Sequence, residues 1–235
     1  MHKLVIFDID GTLIELLQAE VNAYLRAFDV CYGITGLSDD WDSYQYRNDL
    51  AIAKEIIGRH FARPCTSSEL NRLLDTYASL LQGEVYGRGT MPKLIPGVEN
   101  VLDALDKRGD IGFALATANP KRISKLRLEM AGIWKYFFCG AFAEDGNDKT
   151  LILGKSLIRC REVWDDLISN ENVIYIGDHP HDAIAAQALG VQFIGITNQP
   201  ERLHGIVDNR IHSDYRDLNG LLIQMDRLWN NSPAT

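Results

Sequence analysis

The sequence contains few of the features that mark membrane, secreted or cross-linked proteins. No run of about 18 apolar residues occurs, so no segment is predicted to span a membrane. The N-terminal apolar run is short and contains Asp8 and Asp10, which is unlike a signal peptide. Only four cysteines occur among 235 residues, and no two of them form a Cys-x-x-Cys pair. We therefore expect reduced thiols in the cytoplasm rather than a disulfide framework or a zinc site.

The sequence also has no internal repeat, no low-complexity segment and no excess of positive charge. The net charge of −8 argues against general nucleic-acid binding. It does not exclude an anionic substrate, because a bound cation and a few local basic groups set the field in a site. The hydrophobic content of 46% and charged content of 24% are ordinary for a soluble globular protein. The length is enough for a buried core and for one or two domains.

The first strand predicted from the sequence runs directly into two acids. Residues 4–7 form a short apolar run that favours a buried strand, followed by Asp8 and Asp10, and then by Gly11 and Thr12 in a turn. Side chains alternate along a strand, so both acids begin on the same side, at the carboxyl end where open α/β sheets bind ligands. Burying an acid is costly unless it meets a metal, a proton or a partner. The alternative is a turn with two solvated acids.

Two later strands also end in polar residues. The apolar run 111–116 is followed by Thr117, Ala118 and Asn119, where a hydroxyl and backbone N–H groups can hold a phosphate oxygen. The alternative for Thr117 is a cap of the helix predicted from residue 120. The run 173–176 ends in Gly177 and the acids Asp178 and Asp182, for which the alternatives are solvated loop acids and, for Asp182, a helix cap.

These motifs resemble those of the haloacid dehalogenase-like (HAD) hydrolases. The six residues from Asp8 to Leu13, D-I-D-G-T-L, resemble the first motif of the family. The Thr117 segment resembles the second, with Ala118 where the family commonly has glycine, and the spacing of Asp178 and Asp182 matches the fourth. The third motif is a Lys or Arg at a helix start, and Lys149 fits it better than Lys155 does. The segment Pro96-Gly97-Val98 resembles phosphoglycolate phosphatase-like members.

The resemblance implies a role for each motif residue. Asp8 would be the nucleophile and Asp10 the general acid and base, with Thr117 and Lys149 completing the catalytic set. Mg²⁺ is the implied cofactor; its predicted ligands are Asp8, Asp10 through the backbone carbonyl, Asp178 and Asp182. His179 and His181 suggest zinc instead, but the neighbouring carboxylates suit magnesium better. The residues predicted to contact substrate are Gly11, Thr12, Ala118, Asn119 and Arg47.

The predicted fold is an α/β, Rossmann-like, doubly wound parallel sheet with an inserted all-helical cap. Continuous apolar strands that alternate with helices indicate a parallel sheet covered on both faces. The core is predicted to comprise residues 1–14 and 89–235, and the cap residues 15–88. The cap has predicted helices near 18–28, 50–61 and 69–81, the second of them capped by Asp49. The resemblance implies that the cap closes over the site and that its loop near Arg47 selects the substrate. Arg47 either binds a carboxylate or second phosphate or is a solvated surface arginine.

The function implied is a magnesium-dependent phosphatase of a small phosphorylated metabolite, such as a phosphoglycolate-like compound or a sugar phosphate, acting through an aspartyl-phosphate. Asp10, two residues after the nucleophile, separates phosphatases and phosphomutases from the dehalogenases of the family. A phosphomutase of the beta-phosphoglucomutase kind remains an alternative, as does a non-catalytic binding protein on the same fold. We expect a cytoplasmic monomer or homodimer whose partner is the substrate, without nucleic-acid or membrane binding.

Overall fold

The strands predicted from the apolar runs form one parallel sheet. A computed structural model describes residues 3–87, 89–137, 139–164, 168–207 and 210–230. All strand pairs in the sheet are parallel, and their order is β3-β2-β1-β4-β5-β6. The strands are β1 (Lys3–Phe7), β2 (Ile111–Ala116), β3 (Cys139–Ala141), β4 (Val173–Gly177), β5 (Gln192–Ile196) and β6 (Ile211–His212).

Helices cover both faces of this sheet. Alternate residues of β1 point to opposite faces: Val5 and Phe7 belong to one buried apolar cluster, and Leu4 and Ile6 to another. The predicted Rossmann-like α/β fold is thereby confirmed, and two buried faces explain the unbroken apolar runs. The helices are α1 (Gln18–Tyr32), α2 (Asp49–Phe61), α3 (Ser67–Leu80), α4 (Val98–Asp106), α5 (Lys121–Met130), α6 (Lys149–Trp164), α7 (Pro180–Ala188) and α8 (Leu218–Asn230).

Residues 15–87, here called the helical block, lie between β1 and α4. Their regular elements are α1, α2, α3, a 3₁₀ turn at Trp41–Ser43 and a π-helical turn at Leu81–Val85. The block has its own apolar cluster, which Ile123 of α5 joins. No helix among the described residues is both long and apolar enough to cross a membrane. The division into cap and core stays a prediction, and Arg88, at its boundary, lies outside the described residues.

Several element boundaries differ from the sequence-based prediction. A strand is predicted over 136–142, but the described part is a 3₁₀ turn at Trp134–Tyr136 followed by the three-residue β3. Strand β6 is not predicted, because two residues are too short to show a periodicity. The sequence predicts a helix over 183–189, but α7 begins at Pro180, since Pro is favoured in the first helical turn. A helix is also predicted over 150–167, and its end lies outside the described residues.

The cap of α2 is Asn48 and not Asp49. The Oδ1 atom of Asn48 accepts a hydrogen bond of 2.9 Å from the backbone N–H of Ala51. Its Nδ2 atom donates to the carbonyl oxygens of Ala143 (3.1 Å) and Gly146 (2.8 Å), in the segment that follows β3. Asn48 is 1% exposed, so one buried amide caps the helix and also joins the helical block to the sheet edge.

We predict that Asn48→Ala lowers the free energy of unfolding by about 2–3 kcal/mol, because it removes the cap and two buried hydrogen bonds. Asn48→Ser retains a capping oxygen but loses both donors, and is expected to lower it by about 1–2 kcal/mol. Urea unfolding followed by circular dichroism measures both values. Equal stability of the alanine variant and the wild type would contradict this role for Asn48.

Candidate active site

The carboxyl ends of β1, β2 and β4 meet at one cavity of about 670 Å³. Parallel strands place their carboxyl ends at the same edge of the sheet, and three predicted motifs follow these strands. The helical block supplies the opposite wall, with Tyr24, Trp41 and Tyr77 among the lining residues. The predicted site residues that line the cavity are Asp8, Asp10, Gly11, Arg47, Thr117, Ala118, Asn119, Lys149 and Asp178.

Lys149 is the cation at the floor of this cavity. It is the first residue of α6, and its Nζ atom lies 2.7 Å from Oδ1 of Asp8 and 2.9 Å from Oδ1 of Asp182. Asp182 is fully buried, and its Oδ2 atom accepts a hydrogen bond of 3.1 Å from the backbone N–H of His179. Lys155, the alternative, is exposed on the same helix.

Three carboxylates surround this lysine. Oxygen atoms of Asp8, Asp178 and Asp182 all lie within 4.8 Å of one another. Burial raises the pKa of Asp8 to about 7, against the attraction of Lys149. Burial, followed by repulsion from Asp182 and Asp8, raises the pKa of Asp178 to about 8. One ammonium does not balance three carboxylates, so the trio fits a hard divalent cation with oxygen ligands.

Gly11 makes room for Asp178. Its φ of +70° is a left-handed conformation that glycine adopts without strain. A Cβ atom built on Gly11 would also overlap the carboxyl group of Asp178. Glycine is therefore required here by backbone conformation and by the close approach of the acid.

Asp10 has a separate set of partners. Its Oδ1 atom lies 2.7 Å from Nη2 of Arg127, and its Oδ2 atom accepts a hydrogen bond of 2.6 Å from Nδ2 of Asn119. The carboxylate is thus directed away from the acid trio, although Asp8 and Asp10 leave the same strand. Among the atoms of Asp10, the backbone carbonyl oxygen is therefore the one that stays available as the metal ligand predicted from the sequence.

The second motif is ordered around a buried hydroxyl. Thr117 is fully buried, and its Oγ1 atom accepts hydrogen bonds from the backbone N–H (3.2 Å) and the Nδ2 atom (3.0 Å) of Asn119. Helix α5 has Pro120 at its cap position, with no side-chain capping hydrogen bond, so the alternative role for Thr117 as a cap is wrong. Thr12, also predicted to contact substrate, is fully buried and is not among the lining residues of the cavity.

Two arginines and two histidines line one side of the cavity, together with Asp42. Arg47 lines it and lies 2.6 Å from Oδ1 of Asp42 through Nη1, so it is not a freely solvated arginine. Arg202, His179 and His181 line the same side. Burial, with repulsion from the nearby cations, lowers the pKa of His179 to about 4, so this ring is neutral at pH 7.

Asp49, Arg202 and Arg127 are charged residues near the cavity for which the sequence predicts no role in the chemistry. Asp49 and Arg202 line the cavity, and Arg127 reaches Asp10 from behind it. Asp49 follows the α2 cap, and burial raises its pKa to about 7, with repulsion from Asp10 adding to the shift. None of the three stands in a motif, so local sequence carries no signal for them.

Comparisons with known proteins identify a family and several relatives of the chain. Residues 5–196 match the family described as haloacid dehalogenase-like hydrolase. A probable phosphatase, IndB, of Dickeya dadantii (strain 3937) is 26% identical over 209 residues, covering 84% of this chain and 82% of that protein. Phosphoglycolate phosphatase of Escherichia coli (strain K12) is 27% identical over 212 residues, covering 82% of this chain and 80% of that protein.

Solved structures share the fold at lower sequence identity. A predicted phosphoglycolate phosphatase from Haemophilus somnus 129pt has a TM-score of 0.68 at 18% identity, over 94% of this chain and 98% of that one. A mutant of CbbY from Rhodobacter sphaeroides, in complex with xylulose-(1,5)bisphosphate, has a TM-score of 0.68 at 17% identity, over 93% of this chain and 96% of that one. These likenesses agree with the Rossmann-like sheet order.

The raised pKa values of Asp8 and Asp178 predict a pH-dependent stability. Both exceed the ordinary value of 3.8, so above pH 4 the folded chain binds more protons than the unfolded chain, and stability falls as pH rises. The lowered pKa of His179 has the opposite effect only below its ordinary value of 6.5. Without metal, we expect Tm to fall by at least about 3 °C between pH 6.5 and pH 8.5, which corresponds to a loss of about 1 kcal/mol in the free energy of unfolding.

Magnesium should offset this loss, because the cation replaces the protons on the acids. Thermal unfolding in EDTA and in Mg²⁺ at both pH values measures the effect, and Mg²⁺ should raise Tm more at pH 8.5. Asp178→Asn removes one of the acids with a raised pKa and should flatten the pH dependence in part, because Asp8 and Asp49 remain. A Tm in EDTA that rises from pH 6.5 to pH 8.5 would contradict this account of the acid trio.

Proposed function

The chain belongs to the haloacid dehalogenase-like hydrolases, and from this premise we propose that it is a magnesium-dependent phosphatase of a small phosphorylated metabolite. The observation that carries the proposal is the pairing of Asp8 with Lys149 at 2.7 Å on the cavity floor, beside a second acid, Asp10, that has different partners. Two acids in different surroundings suit two different chemical roles. The names of the relatives, a probable phosphatase and a phosphoglycolate phosphatase, support the same reaction class.

The reaction proceeds in two displacements at phosphorus. An oxygen of Asp8 attacks the phosphorus atom and forms an aspartyl-phosphate, while the bond to the leaving oxygen breaks. Asp10 donates a proton to that oxygen and then accepts one from the water that hydrolyses the intermediate. The ammonium of Lys149 neutralises charge on the phosphoryl oxygens, and the hydroxyl of Thr117 with the N–H groups of the second motif binds them.

The acid trio supplies the residues that would hold Mg²⁺. Asp8 and Asp178 are the proposed carboxylate ligands, together with the backbone carbonyl of Asp10. Asp182 is close to them, but both of its oxygens are engaged, by Lys149 and by the N–H of His179. We assign Asp182 to orienting Lys149 rather than to direct ligation. When bound, the cation supplies neutralisation of the negative charge shared by the nucleophile and the phosphoryl group.

Two arginines that line the cavity support a substrate with a second anionic group. Arg47 from the helical block and Arg202 from the turn at Pro200–Leu203 both line the cavity that holds Asp8. Guanidinium groups bind carboxylates and phosphates through paired N–H donors. A phosphoglycolate-like compound carries such a carboxylate, and a sugar bisphosphate, such as the xylulose-(1,5)bisphosphate of the CbbY complex, carries a second phosphate.

The helical block would act as the cap that excludes water. Tyr24, Trp41 and Tyr77 form an aromatic wall, with Tyr24 in edge contact with the other two rings. Such a wall opposite the carboxylates lowers the local polarity and strengthens the charge interactions in the site.

Phosphate release from a panel of phosphomonoesters, with Mg²⁺ or with EDTA, tests the proposed function. We expect turnover that requires Mg²⁺, is highest for compounds with a second anionic group, and falls by at least about 10³-fold in Asp8→Asn, since the covalent step is lost. No release from any compound by the folded wild type would refute the phosphatase, and sugar-phosphate isomerisation would be assayed next.

Helix α6 offers a matched control pair for this assay. Lys149→Met removes the cation on the cavity floor, and Lys155→Met makes the same change at an exposed position of that helix. We expect a loss of about 10²–10³-fold in kcat for the first variant, as for loss of an oxyanion donor, and no measurable change for the second. Equal activities of the two variants would contradict the role given to Lys149.

A further inference from the structure

Arg127 is a buried arginine that bridges two carboxylates. It lies on α5, is 1% exposed, and its Nη2 atom is 2.9 Å from Oε2 of Glu20 and 2.7 Å from Oδ1 of Asp10. Its Nε atom donates a hydrogen bond of 3.2 Å to Oε1 of Glu20. Glu20 therefore fixes the guanidinium at two points, and the same guanidinium reaches Asp10.

Glu20 is in turn held at both connections of the helical block. It lies in the first turn of α1, where the chain enters the block, and its Oε2 atom accepts a hydrogen bond of 3.0 Å from the backbone N–H of Leu17. Its Oε1 atom accepts a hydrogen bond from the hydroxyl of Tyr86, directly after the π-helical turn, where the chain leaves the block. Residues from both connections thus meet at Glu20, which holds the arginine that contacts Asp10.

Stability alone is a weak explanation for this cluster. Glu20 is fully buried, and moving an ion pair out of water costs about as much as its attraction returns, so apolar residues of the same volume would serve stability as well. What an ion pair adds is a defined geometry. Asp10 is also held on its other oxygen, Oδ2, by a hydrogen bond of 2.6 Å from Asn119, whereas its Oδ1 atom has the ion pair with Arg127 but no hydrogen-bond partner.

We propose that Arg127 is a positioning residue that orients the carboxylate of Asp10 for proton transfer, and that Glu20 holds Arg127 for this purpose. The inference rests on the proposed function, in which Asp10 donates a proton to the leaving oxygen. Only a planar guanidinium can pair with Glu20 at two points and reach Asp10 at once; the single ammonium of a lysine cannot.

Two substrates with different leaving groups distinguish a positioning role of Arg127 from a merely structural one. A simple alkyl phosphate has a strongly basic leaving oxygen that needs a proton, whereas p-nitrophenyl phosphate releases a weakly basic phenolate that does not. The ratio kcat/KM reports the steps up to departure of the leaving group. We expect Arg127→Lys to lower kcat/KM about 100-fold for the alkyl ester, the lower range of general acid catalysis, and less than about 5-fold for the p-nitrophenyl ester.

Two further variants complete the test. Glu20→Gln should also lower kcat/KM much more for the alkyl ester than for the p-nitrophenyl ester. This variant replaces Arg127→Lys in the test if Arg127→Lys does not fold. Arg122→Lys is the matched control, because Arg122 lies on the same helix and pairs with Asp75 of α3, but at the surface. We expect this control to keep the wild-type ratio between the two substrates.

The outcomes distinguish the inference from its premise. A wild type that hydrolyses neither ester and no other compound of the panel would refute the proposed function, and the inference would fall with it. A wild type that hydrolyses both, with Arg127→Lys and Glu20→Gln lowering the two kcat/KM values equally, would leave the function intact and overturn the positioning role. The same unequal loss in Arg122→Lys would also overturn it.

Discussion

The close approach of Lys149 to Asp8 and Asp182 is the interaction on which the rest of the site depends. A lysine that is 14% exposed keeps its charge because two carboxylates lie within 2.9 Å of it, and their attraction raises its pKa despite burial. The carboxylates tolerate burial because the lysine is there. Removing Lys149 would leave the carboxylates of Asp8 and Asp182 buried without their cation, which is far more costly than the net gain of a paired set.

The parallel sheet makes this arrangement possible. Three neighbouring strands end at one edge, so acids separated by more than 160 residues in the chain, such as Asp8 and Asp178, meet without a long loop between them. At this edge, the two acids that follow β1 have different partners. Asp8 pairs with Lys149, and Asp10 contacts Arg127 and Asn119. The different surroundings of the two carboxylates are what a nucleophile and an acid–base group require.

Much of this structure could be predicted from the sequence, because it is encoded locally. The apolar runs before Asp8, Thr117 and Asp178 each become a buried strand, and the polar residues after them line the cavity or lie just behind it. Lys149 could be preferred over Lys155 because it stands at a helix start. The fold follows for the same reason, since unbroken apolar strands that alternate with helices leave few other arrangements.

The rest depends on contacts that local sequence does not encode. Glu20 and Arg127 lie 107 residues apart, and each alone resembles an ordinary charged residue of an amphipathic helix. Arg202 reaches the rim only because β5 lies beside β4 in the sheet. Thr12 was expected to contact substrate, but it is buried within the turn, because the turn after β1 folds back to pair with Ile14. Sequence could not distinguish the two sides of that turn.

The most direct test of the central claim is to trap the phosphorylated intermediate. The enzyme is mixed with a phosphorylated substrate and Mg²⁺ and quenched in acid within one turnover. Borohydride then converts any aspartyl-phosphate to homoserine, which mass spectrometry locates in the peptide map. The account predicts homoserine at position 8 and nowhere else in the chain. Rapid phosphate release without modification of Asp8, or modification of another carboxylate, would contradict it.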